Sequence, residues 1–443
     1  MEPMASSPVP EPCVWSPPKS PIDSHCRPAA ERINSFLGDR DTVTGSVLFY
    51  VQHLLGIGHL RRALRIVDAL ARGGIRVTLV SGGEPLSMQT CTSAERVVQL
   101  SPIRARDAGF KHLVDVAGRP VGDTLREVRR AALLAAFEVA RPDAVLIEAF
   151  PFGRRAFRFE LDPLIDAVRS RRPRPLVLCS LRDIVVAPED PKRRREIVDR
   201  VRADFDFVLV HGDPAFIALE ASFSLAPEIA DRLIYTGYVG DADEPDGAEG
   251  TPGTDEVLVS AGGGAVGGAL LSTALETRRR GCLADLNWRL LAGPNLPETE
   301  FHALASRLPE GVIIERYRQE FPQMLRRCRV SVSQAGYNSI LDILAAHVAA
   351  VVVPFASERE TEQSLRAEAL AARGVLELVR ESELSPERLA GAIDRAIARG
   401  PGAIAIDTGG ARRTATLIAG MIRSPANAGT RAVGNLCCSR LAI

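Results

Sequence analysis

Val330 to Gln363 reads VSVSQAGYNSILDILAAHVAAVVVPFASERETEQ, and this stretch decides the fold. It opens as a short apolar strand, turns through small residues at Ser333 to Gly336, and continues as a helix. A second strand follows over Ala349 to Val353 and stops at Pro354. A polar loop comes next, with another helix opening near Glu358. Ala335 and Gly336 let a ligand approach the backbone, and the next helix offers its free N–H groups there, a ready phosphate site. Asp342, six residues into that helix, is placed to reach ribose hydroxyls, while Glu362 and Gln363 approach the same crevice from the neighbouring loop.

The run Ser333-Gln334-Ala335-Gly336-Tyr337-Asn338-Ser339-Ile340-Leu341-Asp342, with its strand ending in Pro and its Gln-containing loop, resembles the nucleotide-sugar half of the MurG-like glycosyltransferases. Those proteins usually have Arg where Gln334 stands and Glu where Asp342 stands. The resemblance runs as a pattern of elements over roughly residues 46 to 422. It implies a GT-B architecture: two Rossmann-like, doubly wound parallel-sheet domains facing across a cleft. It implies donor binding by Ser333, Gln334, Ala335, Gly336, Asn338, Ser339, Asp342, Glu362 and Gln363.

Upstream, Glu256 to Ser260 forms a strand entering Ala261-Gly262-Gly263-Gly264-Ala265. Three consecutive glycines between a strand and a helix cost chain entropy, and a backbone cradle for a diphosphate accounts for them. Gly262, Gly263 and Gly264 resemble the family's GGS turn, with Gly264 in the Ser position. No Lys-Ser or Lys-Thr follows, which excludes a Walker P-loop.

Ser46 to Gln52 is a β-branched and aromatic strand running into Gly56-Ile57-Gly58-His59, then a helix from Leu60 to about Arg72. A dinucleotide fingerprint needs a third glycine at position 61, which is Arg. The turn resembles the GxGH entry loop of the same superfamily. With Arg62 it also resembles the GxGHxxR motif of UDP-sugar hydrolases. Gly56, Gly58 and Arg62 are therefore substrate-binding candidates. His59 is the first candidate general base, with a helix-terminal structural residue as its alternative reading. Glu148 and Asp183, at the ends of later strands, are the other catalytic candidates.

About seven strands precede and six follow an acidic Gly/Pro-rich span at 240–254, read as an interdomain linker. The expected organisation is a Pro-rich leader over 1–43, an acceptor-side domain over 44–239, a nucleotide-sugar domain over 255–422 and a tail over 423–443. The last helix is expected to cross back onto the first domain, as the resemblance implies. Thr236-Gly237-Tyr238-Val239-Gly240-Asp241 keeps only the start of a family segment whose Arg touches the donor.

Hydrophobic content of 46% with 25% charge describes a globular chain, and a formal net charge of zero gives no sign of a nucleic-acid partner. The 8 cysteines are scattered without a CxxC pair, so no zinc or disulfide framework is legible, and a reducing cytoplasm fits. The Arg-for-Lys skew resembles bacterial coding bias. No DxD pair stands in a metal-binding context, and no metal or cofactor is expected. The function expected is metal-independent, inverting transfer of a hexose-type sugar from a nucleotide-diphosphate donor, a UDP-sugar by resemblance. The acceptor would be a small molecule or lipid-linked. Hydrolase, epimerase and non-catalytic sugar-nucleotide-binding readings stay open. Arg154-Arg155, Arg171-Arg172-Arg174 and Arg193-Arg194-Arg195 read as solvated faces, with peripheral contact at the inner membrane surface as the alternative. Oligomeric state has no sequence signal.

Overall fold

The apolar alternation of the first strand sets the first domain. In β1 (Gly45–Val51), Val47, Phe49 and Val51 face one helical layer, and Leu48 and Tyr50 face the other. A strand buried on both faces belongs inside a parallel sheet with helices on each side. The structure, a computed structural model, describes residues 45–54, 58–85, 92–106, 112–240, 252–262, 267–278, 280, 283–318, 320–355, 361–402, 404 and 406–423. The expected leader and most of the linker lie outside the described residues, as do the tail beyond Arg423, Gly56, Gly263 and Gly264.

In chain order the first domain continues with α1 (Gly58–Arg72), β2 (Ile75–Ser81), β3 (Arg96–Gln99), a small antiparallel pair β4 (Arg104–Ala105) and β5 (Leu113–Val114), and α2 (Asp123–Ala140). Then come β6 (Ala144–Glu148), α3 (Arg158–Ser170), β7 (Leu176–Arg182), α4 (Pro191–Asp204), β8 (Phe207–His211) and β9 (Leu233–Tyr235). The 7-stranded sheet has the order β3-β2-β1-β6-β7-β8-β9, all parallel. Its order reverses between β1 and β6.

The second domain has β10 (Val257–Ser260), α5 (Gly268–Thr277), β11 (Trp288–Leu291), α6 (Glu298–Ala305), β12 (Val312–Glu315), α7 (Phe321–Arg327), β13 (Val330–Ser333), α8 (Tyr337–Ala346), β14 (Ala350–Val352), α9 (Glu362–Ala372), β15 (Glu377–Leu378) and α10 (Pro386–Arg399). The 6-stranded parallel sheet runs β12-β11-β10-β13-β14-β15, reversing between β10 and β13. Its sheet face of Leu258, Ala350 and Val352 packs with Ile340, Leu341 and Leu370. Ile184, Phe216 and Tyr238 of the first domain join the same apolar cluster.

The last helix, α11 (Gly410–Arg423), crosses back. Its Ala415, Ile418 and Ala419 are buried with Val47, Leu60 and Val67 of the first domain. Gly237 marks the passage, with φ +82° and no room for a Cβ, which would stand 2.7 Å from Asp407. Among the described residues no helix is long and apolar enough to cross a membrane.

Candidate active site

In an open doubly wound sheet, ligands bind beyond the carboxyl ends of the strands where the order reverses. In the first domain that point lies between β1 and β6, and two of the three catalytic candidates meet there. His59 is the second residue of α1 and Glu148 the last of β6. His59 Nδ1 lies 2.9 Å from Glu148 Oε1. Arg62, one turn further along α1, donates to the same carboxylate oxygen.

The other oxygen, Oε2, accepts from the Ser180 hydroxyl on β7. Ser180 Oγ is 3.0 Å from His211 Nε2 at the end of β8, and His211 Nδ1 is 2.8 Å from Thr236 Oγ1 just past β9. Four neighbouring strand ends thus carry one buried polar chain. Because Glu148 only accepts, His59 carries its proton on Nδ1. Its Nε2 is left without a partner among the described residues.

Burial pushes the His59 imidazole down to about 3, the nearby Arg154 charge adds to this, and the hydrogen bond to Glu148 opposes it. His211 is likewise pushed down to about 3 by burial and then by the Arg62 charge. Burial alone would raise Glu148; the Arg62 guanidinium and the bonds from His59 and Ser180 outweigh it and hold the carboxyl well below the usual range. The result is a neutral imidazole oriented by an ionised carboxylate.

The second reversal point lies between β10 and β13. Gly262, two residues past β10, has φ +69°, a conformation open to glycine. Ser333 ends β13, and its hydroxyl donates to the Gln334 carbonyl at 3.0 Å. The Gln334 amide donates to Ser260 on the adjacent strand at 3.3 Å. Gly336 precedes α8 in extended conformation, with no side-chain cap on that helix end. Asn338, in the first turn of α8, has a buried Oδ1 without a hydrogen-bond partner. Its Nδ2 would stand 3.1 Å from a Cβ on Gly58, so the heads of α1 and α8 approach each other across the cleft. Ser339 follows on the same turn.

Three expectations are revised. Glu362 and Gln363 begin α9 rather than sitting in a loop, and 356–360 lie outside the described residues. Gln363 Oε1 accepts from the Ala335 and Phe355 amides at 3.0 and 3.1 Å, stapling two strand-end turns together. Glu362 is buried and pairs with Arg182 of the first domain and with Arg366. Asp342 is also buried, and its Oδ1 lies 3.9 Å from Arg65 Nη2 of the first domain.

Asp183 is not part of the dyad. Its fully buried carboxylate accepts from Arg366 of the second domain and from the Tyr238 hydroxyl. Arg154, expected on a solvated face, has a buried Nε.

Sequence reading did not single out Arg366, Tyr337 or Ser180. Arg366 stands one helical turn after Glu362, a spacing that signals an ion pair. Tyr337 inserts between the domains: its hydroxyl donates to the His211 carbonyl at 3.0 Å and accepts from the Val239 amide at 3.1 Å. Arg62 and Arg366 lie over its ring at 5.2 and 5.6 Å.

The match to known proteins coincides with the second reversal point. Residues 258–404 match the glycosyltransferase family 28 C-terminal domain. The matched span includes α8 and α9, and it bears out the resemblance to MurG-like glycosyltransferases over this part of the chain.

Curated relatives carry the name UDP-N-acetylglucosamine–N-acetylmuramyl-(pentapeptide) pyrophosphoryl-undecaprenol N-acetylglucosamine transferase. One from Carboxydothermus hydrogenoformans is 28% identical over 139 residues, 31% of this chain and 37% of its own. One from Thermotoga neapolitana is 28% identical over 193 residues, 42% of this chain and 51% of its own. The chain therefore spans about half, or less, of the relatives it matches.

Solved structures agree over more of its length. The calicheamicin glycosyltransferase superposes with a TM-score of 0.52 at 20% identity, covering 87% of this chain and 96% of that one. The spinosyn rhamnosyltransferase SpnG gives 0.52 at 18% identity, covering 85% and 95%. The two parallel-sheet domains together form a GT-B fold.

Proposed function

We propose that the protein is a glycosyltransferase that moves a hexose-type sugar from a nucleoside-diphosphate donor, a UDP-sugar, to an acceptor hydroxyl. The observation that carries this reading is the His59–Glu148 dyad at the head of α1, facing the uncapped head of α8. The donor diphosphate would lie against Gly262 and the first turn of α8, where backbone N–H groups meet negative charge. Ser333 to Gly336, Asn338 and Ser339 form the wall of that site. Asn338 Oδ1 is free to accept from a sugar or ribose hydroxyl. Asp342, Glu362 and Gln363 support the wall from behind. We take 44–239 as the acceptor-side domain and 255–422 as the donor domain, with α11 returned to the first.

In the reaction His59 Nε2 takes the acceptor hydroxyl proton as the oxygen attacks the anomeric carbon. The bond from that carbon to the diphosphate oxygen breaks, and the nucleoside diphosphate leaves with the electron pair. Glu148 fixes the Nδ1–H tautomer and stabilises the imidazolium that forms. A single displacement inverts the anomeric centre. Backbone donors fixed before the reaction stabilise the leaving group without reorganising.

The test is a thermal-shift panel of nucleoside diphosphates and sugar nucleotides, followed by turnover with and without acceptor alcohols. A true donor at 100 times its Kd stabilises by about 2.7 kcal/mol. No shift with any of them would sink the reading. Donor consumed equally well without an acceptor would make the protein a hydrolase.

A further inference from the structure

Ser180 and His211 are buried polar side chains toward the carboxyl ends of β7 and β8 that the proposed reaction does not use. Glu148 and Ser180 are register partners on neighbouring parallel strands, and His211 is the partner of Arg182, two residues beyond Ser180. All three side chains therefore leave the sheet on the same face. Each of them is fully buried, as is Thr236 beyond β9.

Polar groups out of water need their hydrogen bonds, and here the bonds run in one direction. Ionised Glu148 only accepts, so the Ser180 hydroxyl gives its single proton to Oε2. Toward His211 the Ser180 oxygen must then accept, which puts the proton of the neutral imidazole on Nε2, 3.0 Å away. Nδ1 is left bare and accepts from the Thr236 hydroxyl at 2.8 Å. That hydroxyl's other acceptors are the Gly237 and Val210 carbonyls, at 3.1 and 3.4 Å. With the His211 proton on Nδ1 instead, Thr236 would donate to Gly237 and Ser180 to Nε2. Glu148 Oε2 would then face no donor among the described residues, which a buried carboxylate does not tolerate.

Beyond Thr236 lie backbone carbonyls, so the chain gives a proton no way out, and its effect is on orientation. Oε1 is engaged by His59 and Arg62, and Oε2 by Ser180. A carboxylate held at one oxygen can turn about its Cγ–Cδ bond; held at both, it keeps Oε1 against His59 Nδ1.

We propose that Ser180 and His211 are positioning residues for the base: one directed chain of hydrogen bonds, from Thr236 through His211 and Ser180 to Glu148, holds the carboxylate in the plane that keeps the His59 proton on Nδ1. The effect on turnover rests on the glycosyl-transfer reading; the direction of the chain does not.

The experiment has two arms, both on the full-length chain. In the first, isotope-labelled histidine reads the ring tautomers by NMR. His211 should be neutral with its proton on Nε2, and His59 neutral with its proton on Nδ1. A His211 proton on Nδ1, or on both nitrogens, overturns the proposal.

In the second arm, kcat and donor affinity are measured for Ser180→Ala, His211→Leu and His211→Gln. Losing a donor to a charged group should lower kcat about ten- to a hundredfold in Ser180→Ala, with donor Kd within about twofold. His211→Leu should fall in the same direction. His211→Gln, whose amide can donate to Ser180 in place of Nε2, should recover most of the rate. Added to His59→Ala, Ser180→Ala should slow turnover no further, because residues that act as one unit are non-additive. An unchanged kcat in Ser180→Ala, a further loss in the His59→Ala background, or equal losses in the two His211 variants overturns the proposal. If Ser180→Ala does not fold, the wild-type tautomers and the His211 pair decide. A wild type that turns over no sugar nucleotide defeats the glycosyl-transfer reading instead, and the tautomers still decide the direction of the chain.

Discussion

Asp183 and Arg366 join the two domains through a two-pronged pair, with Nε to Oδ2 at 3.2 Å and Nη2 to Oδ1 at 2.9 Å. The same guanidinium donates to the Ala335 carbonyl at 3.0 Å, at the turn that opens α8. The relative position of His59 and the α8 head is therefore held by this buried pair and Tyr337 beside it, together with the Arg182–Glu362 and Arg65–Asp342 pairs. Arg366→Ala leaves the Asp183 carboxylate buried and unpaired, and should cost about 3–5 kcal/mol in urea unfolding. Asp183→Ala with Arg366→Ala should cost less than the two single changes summed, because no lone charge remains. Additive losses would mean that the pair carries no coupling.

His59→Ala should lower kcat by about 10²–10⁴ while donor affinity stays within twofold, the range general-base catalysis supplies. His59→Asn keeps a polar side chain, loses only the titrating nitrogen, and should fall equally far. Steady-state kinetics with calorimetric donor binding separates the outcomes. Lost donor binding with undiminished turnover at saturation would make His59 a ligand contact.

Stability should depend on pH in a stated direction. His59 and His211 sit near 3 in the folded chain, against an ordinary 6.5. Between those values the unfolded chain binds more protons, so stability rises with pH and is lost as pH falls from 6.5 toward 3. Glu148, held below its usual range, adds to the loss on the acid side of the ordinary carboxylate pKa. Urea unfolding between pH 7.5 and 4.5 should show this slope, and His211→Gln should reduce it. An unchanged slope would mean that His211 is already charged in the folded state.

The elements were legible in the sequence because both sheets are built from short β-branched runs bounded by glycine, proline or polar residues, a local signal. The three glycines before a helix are a signal of the same local kind, because their chain-entropy cost asks for a close backbone approach. The meeting of His59 with Glu148 depends on strand order. β1 and β6 are neighbours with two strands of the same sheet between them in the chain, which no window of sequence contains. Asp342 and Glu362 were read as facing a donor crevice because both follow strand ends closely in the sequence, and each is engaged by an ion pair formed with the other domain. Only the second domain's arrival against Arg65 and Arg182 buries them. Arg154, in a run of two arginines that reads as surface, is half-buried with its Nε out of water, which neighbours distant in the sequence decide.

The last prediction concerns how Glu148 acts. Its carboxylate touches His59, Arg62 and Ser180, so it orients the base and also balances the Arg62 charge. Glu148→Gln keeps the shape but offers an amide in place of one carboxylate oxygen. Either Ser180 or the Arg62–His59 pair then faces a donor instead of an acceptor, and the Nδ1–H tautomer is no longer enforced. Turnover should fall by about 10²–10⁴, the range expected when a general base is disabled. The decisive variant is the double, Glu148→Gln with His59→Ala. If Glu148 works through His59, the double should be no slower than His59→Ala alone, since residues that act as one unit are strongly non-additive. A double mutant slowed by the product of both single effects would show Glu148 acting on substrate independently. Unfolding measurements on the same proteins keep the readings apart: Glu148→Gln leaves Arg62 less compensated and should lower stability whichever way the kinetics fall.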